Sequence, residues 1–487
     1  MEQQNGSMEK KAVTGAVWKF AERILAQVIT LAVSLVIARL LNPSDYGVVS
    51  LVTAFFAFAN VIISGGLNTA LIQKKNADRE DYNTVFTVSL LVAFLIYLLI
   101  YLLAPWIAHI YDQPVLVPIM RVLGLSLPIY ALKSIVCAYV SANLQFKMFF
   151  FATLSGTLVS AAVGVYMALN GFGAWALVAQ QLTNTAIDTL VLFCITKIKL
   201  SFHIATARLR SLLSYGSRIM VSSLLGVTVA QINPLFIGLK YTSADLSFYT
   251  KGRSLPDTLS SSMVYTISSV LFPVLSKVQD DREKILNYTR RYMQVASFVT
   301  FPVMFGFMAV SENFIRVFLT EKWLPAAYYI QIACVALAFD VVAAGNCETI
   351  KALGRSDIFL KIEIAKKTGY FITLALFLMF TNSPEMLALS MLACTLIQVS
   401  VNSIPNVKLI GYKPVYQIAD LLPNLLLAAV MCAGVILIGK INASPLLVLV
   451  IQILAGVGIY ILMGVITQNK AMQYLLDMIK RRKTANA

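Results

Sequence analysis

About fourteen apolar runs, each long enough to cross a bilayer as a helix, set the limits on what this chain can fold into. They lie at 13–40, 46–66, 83–106, 116–140, 149–169, 173–196, 212–238, 256–275, 294–318, 326–348, 361–380, 386–406, 418–439 and 445–466. A run of roughly 20 apolar residues spans the hydrocarbon core as a helix. Backbone in hydrocarbon must satisfy its own N–H and C=O groups, which leaves helices or a closed barrel. Barrel strands need only about ten residues that alternate in polarity, whereas these runs are twice that and apolar on every side. The expected fold class is an all-α polytopic membrane protein. Mean hydropathy is +0.77 and only 13% of residues are charged, against about 25% in a soluble domain.

A net charge of +16 would suit a nucleic-acid partner, so its placement decides the reading. Fourteen crossings put both termini on one side. With that side taken as the cytoplasm, most of the 39 Lys and Arg fall inside, among them Lys10, Lys11, Lys74, Lys75, Arg79, Arg208, Arg290, Arg291 and Lys480 to Lys483. The outer segments hold Arg39, Lys240, Lys251, Arg253, Lys322 and Lys440. This is the positive-inside bias that orients helices during insertion, so no nucleic-acid partner is expected. The longest outer connection is read at 239–255, and Trp106, Trp175 and Trp323 are read as outer-interface anchors.

The six cysteines, at 137, 194, 334, 347, 394 and 432, fall in or beside the spans without a CxxC pair and read as small buried hydrophobes. Two histidines, His109 and His203, offer no basis for a His-built metal or acid–base centre. No metal and no cofactor is expected, apart from Na⁺ or H⁺ as a coupling ion. The first dozen residues lack a cleavable signal pattern, so the first apolar run is expected to remain as a helix. "GVILIGKI" at 434–441 mimics a P-loop, but Ile441 replaces the Ser or Thr that would hold Mg²⁺, and the stretch is apolar. Direct ATP coupling and enzymatic activity are therefore not expected.

An internal repeat organises the chain. "IARLLNPSDYGVVS" at 37–50 aligns with "IGLKYTSADLSFYT" at 237–250, an offset of 200 that matches Ile37 to Ile237 and Asp45 to Asp245. Asp-Arg-Glu recurs at 78–80 and 281–283, and an aromatic-Ile pair recurs in 104–111 and 311–318. Six spans per half is an even number, so the halves enter the membrane in the same orientation, as parallel repeats do in some transporters. The expected division is a lobe at 1–205, a lobe at 206–410, and an appended pair of spans with a basic tail at 411–487. In the first copy Pro43 and Gly47 read as turn residues and Asp45 as a helix cap.

Charged groups within spans are costly, and they face a bundle interior, a partner or a water-filled cavity. Span 1 holds Lys19, Glu22 and Arg23 within two turns, with Arg39 at its end. Lys133 lies inside span 4 and Arg218 two turns into span 7. For Lys19 and Lys133 a cavity position and snorkelling to the headgroups both remain open. Several cations along a central path would favour an anionic substrate, because a desolvated diphosphate needs charged partners. The acids Glu22 (which can pair with Lys19), Asp188, Asp340 and Glu348 either take part in ion coupling or act as fixed counter-ions. Amides such as Gln398 and Asn402 either bond sugar hydroxyls or join helices.

"ARLLNPSDYG" at 38–47 resembles the RLLxPxDYG signature of the polysaccharide transporter family. This is a branch of the multidrug/oligosaccharidyl-lipid/polysaccharide flippase superfamily. "GLNTALIQKK" (66–75), "NLQFKMFFFATLSGTLVS" (143–160), "GFGAWALVAQQL" (171–182), "SYGSRIMVSSLL" (214–225) and "LFPVLSKVQDDREK" (271–284) resemble it too, so the likeness runs from about 12 to 410. It is most similar to the lipopolysaccharide, colanic-acid and teichuronic-acid type of flippase. The resemblance implies a V-shaped bundle of two six-helix lobes in a bacterial cytoplasmic membrane. It also implies transfer of undecaprenyl-diphosphate-linked oligosaccharide to the outer leaflet, with a polymerase or assembly complex as downstream partner. Arg23 and Arg39 match positions where related flippases carry cavity arginines. The second copy lacks the Pro and Gly of the signature, so only Asp245 is read across.

Two other transport readings and one catalytic reading compete. A small-molecule or multidrug exporter on the same scaffold would rely on cavity acids, whereas these spans hold more bases. A channel suits a pseudo-two-fold repeat with scattered charges less well than a rocking transporter does. A membrane glycan polymerase would want a large outer loop.

Overall fold

The computed structural model describes residues 25–74 and 77–485, with side chains as far as Asp477. Among the described residues the chain is helical, with no strand. Twelve helices among the described residues are long and apolar enough to cross a membrane, which is the expected fold class of a multi-pass membrane protein. Two of the fourteen expected runs stand outside that set. The described part of the first is the shorter apolar helix Leu25–Leu40. The eleventh is the 25-residue helix Ser356–Phe380, which carries Lys361, Glu363, Lys366 and Lys367 among its apolar residues. Lys366 bonds Glu363 one turn away at 2.5 Å, which lowers the cost of holding both charges on that helix.

The chain divides into two compact units, Met1–Ser247 and Phe248–Ala487. The six-span lobes expected from the repeat rest on sequence correspondence, a different criterion from compactness.

In the first unit the two copies of the repeated motif each start a helix. Pro43 is the first residue of helix Pro43–Ser64, where its missing N–H costs nothing and its fixed φ suits the turn. The Asp45 carboxylate accepts from the Asn42 backbone N–H at 3.2 Å. Two hundred residues on, the Asp245 carboxylate accepts from the Thr242 N–H at 3.1 Å and the Thr242 hydroxyl at 2.7 Å. The Asp-Arg-Glu motifs behave alike. Asp78 Oδ1 accepts from the Asp81 N–H at 3.0 Å to start helix Arg79–Ile110. Asp281 Oδ1 accepts from the Lys284 N–H at 3.0 Å to start helix Arg282–Phe318. Each cap satisfies a donor that the first turn leaves unpaired.

Gly47 is not a turn residue. It lies inside helix Pro43–Ser64, where a Cβ would stand 1.7 Å from the backbone oxygen of Ser243. Near the other end of the same helix, a Cβ on Gly66 would stand 2.1 Å from the backbone oxygen of Gly216. Lipid tails are as apolar as leucine, so helices in a membrane associate through close packing and polar contacts. Missing side chains supply the close packing here.

The expected outer connection at 239–255 is overturned. Helix Thr206–Lys240 is followed by only Tyr241 and Thr242 before helix Ser243–Ser276 begins. Hydropathy rises only near Pro256, but the Thr242–Asp245 cap starts the helix 13 residues earlier, and Pro256 and Pro273 lie inside it. Trp323 also departs from expectation. It is fully buried, edge-on to Phe248 at 6.0 Å, and is no headgroup anchor, whereas Trp106 is 64% exposed.

Buried amides knit the second unit. Asn346 Nδ2 donates to Gln417 Oε1 at 3.1 Å, Ser403 Oγ donates to the same oxygen at 2.9 Å, and Asn406 Nδ2 donates to Asn346 Oδ1 at 2.7 Å. Asn402 donates to the Ala343 carbonyl at 3.2 Å. Asn313 Nδ2 donates to Gln452 Oε1 at 2.9 Å, and the Tyr460 hydroxyl to the Phe298 carbonyl at 2.8 Å. The bonds of Gln417, Gln452 and Tyr460 fasten helices Pro414–Ile438 and Pro445–Ile466 to the rest of the unit, and those of Asn402 and Asn406 join helices Pro384–Ile410 and Asp340–Ala352. In a bilayer each contributes on the order of 0.6 kcal/mol, so their number carries the effect.

Candidate functional site

In the first unit, Lys133 on helix Ser126–Ala142 reaches Asp188 on helix Ala174–Thr196, with Nζ to Oδ2 at 2.5 Å. The sequence left Asp188 either an ion-coupling acid or a fixed counter-ion, and the fold pairs it with Lys133. The Asp188 side chain is nearly sealed at 9% exposure, while the Lys133 side chain keeps 28%. The lysine is therefore tied to a neighbouring helix while its side chain stays partly exposed. Arg121 lies over the Tyr101 ring, 4.1 Å from its centroid, a cation–π contact at one helix surface. Arg39 ends helix Leu25–Leu40 and Arg218 lies on helix Thr206–Lys240, both exposed. Lys19, Glu22 and Arg23 lie outside the described residues. Asp45, Asp245 and Pro43 are helix-start groups, and Gly47 is a packing position.

The second unit contains an arrangement the sequence reading missed. On helix Ser243–Ser276, Tyr249, Arg253 and Asp257 succeed one another at i, i+4 and i+8. Arg253 Nε donates to Asp257 Oδ2 at 2.9 Å, and Nη1 donates to the Tyr249 hydroxyl at 3.3 Å. Its side chain remains 30% exposed. A guanidinium has five N–H donors, so two are used to hold it and others stay available. One turn further, Ser260 Oγ donates to Asp340 Oδ2 at 3.3 Å, and Gln398 Nε2 donates to Oδ1 at 3.3 Å. Asp340, the first residue of helix Asp340–Ala352, is thus held by neutral donors. Glu348 on that helix accepts from Lys351 at 2.9 Å, an intrahelical pair. The missed signal was the four-residue spacing of Tyr249, Arg253 and Asp257, which becomes visible once a helix is allowed through Pro256.

Each unit thus holds a partly exposed cation oriented by a carboxylate, Lys133 by Asp188 and Arg253 by Asp257. A cation held this way can meet an anionic group without first losing freedom of its own. Asp340, neutral-bonded and partly buried, is suited to take up a proton or a small cation. Among the described residues, no group of three or more His, Cys, Asp or Glu is placed to hold a metal ion.

The fold is that of known flippases and exporters. The chain superposes on a lipid II flippase, MurJ, in an inward closed conformation, with a TM-score of 0.75 at 15% identity over 93% of this chain and 98% of that one. An inward-facing multidrug resistance MATE family transporter matches less closely, with a TM-score of 0.59 at 13% identity, covering 81% of this chain and 98% of that one. In sequence, it is 22% identical over 362 residues to the lipopolysaccharide biosynthesis protein WzxC of Escherichia coli (strain K12), covering 74% of each chain. The model of the polysaccharide biosynthesis protein family matches residues 36–328, more than half of the chain. With the repeated helix starts and the twelve apolar helices, that match establishes that the chain belongs to the polysaccharide biosynthesis protein family.

Proposed function

We propose that this protein is a flippase, not an enzyme, which carries undecaprenyl-diphosphate-linked oligosaccharide from the cytoplasmic to the outer leaflet of a bacterial cytoplasmic membrane. The observation that carries this reading is the partly exposed cation within apolar helices of each unit, Lys133 and Arg253. A diphosphate leaving water needs charged donors, and those bonds are about twice as strong as neutral ones. Relatives named for polysaccharide biosynthesis support the same substrate class. Each of these cations would offer a diphosphate a charged donor while the polyprenyl tail stays in lipid. Alternating access would then expose it to the other face, with both termini cytoplasmic throughout. Asp340, bonded by Ser260 and Gln398, is the carboxylate best suited to couple the cycle to H⁺ or Na⁺. A polysaccharide polymerase or assembly complex would receive the product.

An exporter of small cationic molecules is the second reading, favoured by the MATE likeness in fold. Against it, Asp188, Asp257 and Glu348 already have cationic partners. The deciding experiment is reconstitution in liposomes with a labelled undecaprenyl-diphosphate oligosaccharide, comparing wild type with Arg253→Ala and Arg23→Ala, with and without ion gradients. Transfer by wild type and loss in Arg253→Ala would support the flippase. Movement of small cationic solutes with no movement of the glycan lipid would overturn it.

A further inference from the structure

A groove of about 730 Å³ opens in the second unit between helices Arg282–Phe318, Pro414–Ile438 and Pro445–Ile466 and the start of helix Lys470–Ala485. We propose that it binds an anionic phospholipid, with the phosphate between Arg290 and Lys470 and an acyl chain along Leu422, Leu426 and Val430. This inference is independent of the transport reading.

The groove has one charged end and one apolar wall. At the charged end, Arg290 donates through Nε and Nη2 to Asp420 at 2.8 and 2.9 Å. Asp420 is 4% exposed and also takes bonds from Gln294 Nε2 at 2.7 Å and the Tyr412 hydroxyl at 2.9 Å. The negative member of the pair is therefore enclosed and fully occupied. The positive member keeps 40% exposure and unused donors toward the groove. Lys470, exposed at the same mouth, leaves the lining with one net positive charge after Asp420 is counted.

The backbone adds to that sign. Gln468, at φ 48°, turns the chain after the apolar helix ends at Ile466. Asn469 Oδ1 then accepts from the Ala471 N–H at 2.9 Å, so a new helix begins at the mouth with its positive end there. This break between an apolar helix and a polar one is where a bilayer's headgroup region would lie. From the mouth, Leu422, Leu426 and Val430 follow one another at every fourth residue, 44%, 57% and 47% exposed, with Met463 also lining the groove.

Cationic mouth and apolar wall together match one molecule type. A phosphate alone would gain nothing from the leucine stripe, and a phosphatidylcholine would bring its own cation against Arg290 and Lys470. Phosphatidylglycerol meets both requirements. Once bound, it would bridge three helices of the unit at a common end.

The test uses the full-length protein in neutral detergent, with retained lipid counted by native mass spectrometry and melting followed in parallel. The probes are phosphatidylglycerol, phosphatidylcholine and glycerol 3-phosphate. Phosphatidylglycerol should bind at least ten-fold more tightly than phosphatidylcholine and raise the melting temperature. Lys470→Glu and Leu426→Trp should each weaken it at least ten-fold without changing the lipid-free melting temperature. If Leu426→Trp fails to fold, Lys470→Glu, at an exposed position, decides alone. Unchanged phosphatidylglycerol binding in Lys470→Glu, or equal binding of phosphatidylcholine, would overturn the proposal. So would competition by glycerol 3-phosphate at the lipid's own concentration, which would make the site one for anions without a chain.

Discussion

Gly47 and Ser243 touch backbone to backbone: a methyl group added at Gly47 would stand 1.7 Å from the Ser243 carbonyl oxygen. Gly47 belongs to the first copy of the repeated motif, and Ser243 stands where the second copy aligns with Pro43. The two helix starts that the sequence writes twice are therefore packed against each other.

Gly47→Val should lower the melting temperature of the purified protein, because overpacking a tight contact costs about 1–3 kcal/mol or more. Ser243→Gly should not rescue it, since the collision is with main chain and not with the serine side chain. Rescue by Ser243→Gly in thermal unfolding would show that the close approach is not what limits position 47.

The Lys133–Asp188 pair separates stability from transport. Lys133→Ala leaves a nearly sealed carboxylate without its cation, a change of about 3–5 kcal/mol for a fully buried pair and less here, since the lysine is partly exposed. Lys133→Met combined with Asp188→Leu should restore most of the melting temperature while glycan-lipid transfer stays lost. Transfer by that double variant at the wild-type rate would remove Lys133 from the substrate path.

Arg253 tests geometry more than charge. Arg253→Lys keeps the cation but loses the fork that Tyr249 and Asp257 orient. Transfer should fall about ten-fold, roughly 1.4 kcal/mol, with melting little changed. Equal transfer rates in Arg253→Lys and wild type would mean that a point charge suffices.

Acid should weaken the helix start at Asp78. The Arg208 guanidinium, and then the Asp81 backbone N–H, hold the Asp78 carboxyl down at about 2, below its ordinary value of about 3.9. A carboxyl depressed on folding contributes stability that is complete above about pH 4 and is lost as pH falls toward 2. Thermal melts between pH 5 and pH 2 should therefore fall more steeply for wild type than for Asp78→Asn. Parallel slopes would show that this cap is not linked to folding.

The sequence alone determined the class of the protein. Runs of some 20 apolar residues admit few solutions in hydrocarbon, so a helical membrane protein followed from hydropathy. Asp45 was legible as a helix cap because capping depends on residues three apart, a purely local relation, and Asp245, Asp78 and Asp281 were legible as parts of a repeat. The start of helix Ser243–Ser276 was misread for a related reason. Hydropathy averages over a window and cannot see that Lys251 and Arg253 belong to a helix, on which Asp257 pairs with Arg253.

Tertiary structure alone decided which charges meet. Lys133 and Asp188 are 55 residues apart, as are few pairs a local pattern could suggest, and Arg290 and Asp420 are 130 apart. Whether a lysine in a span snorkels or pairs depends on the neighbouring helix, and whether Gly47 turns or packs depends on a backbone 196 positions away. Helix propensity and hydropathy are sums over nearby residues. Ion pairs and close approaches are set by the packing of distant ones, and that information exists only once the helices have been brought together.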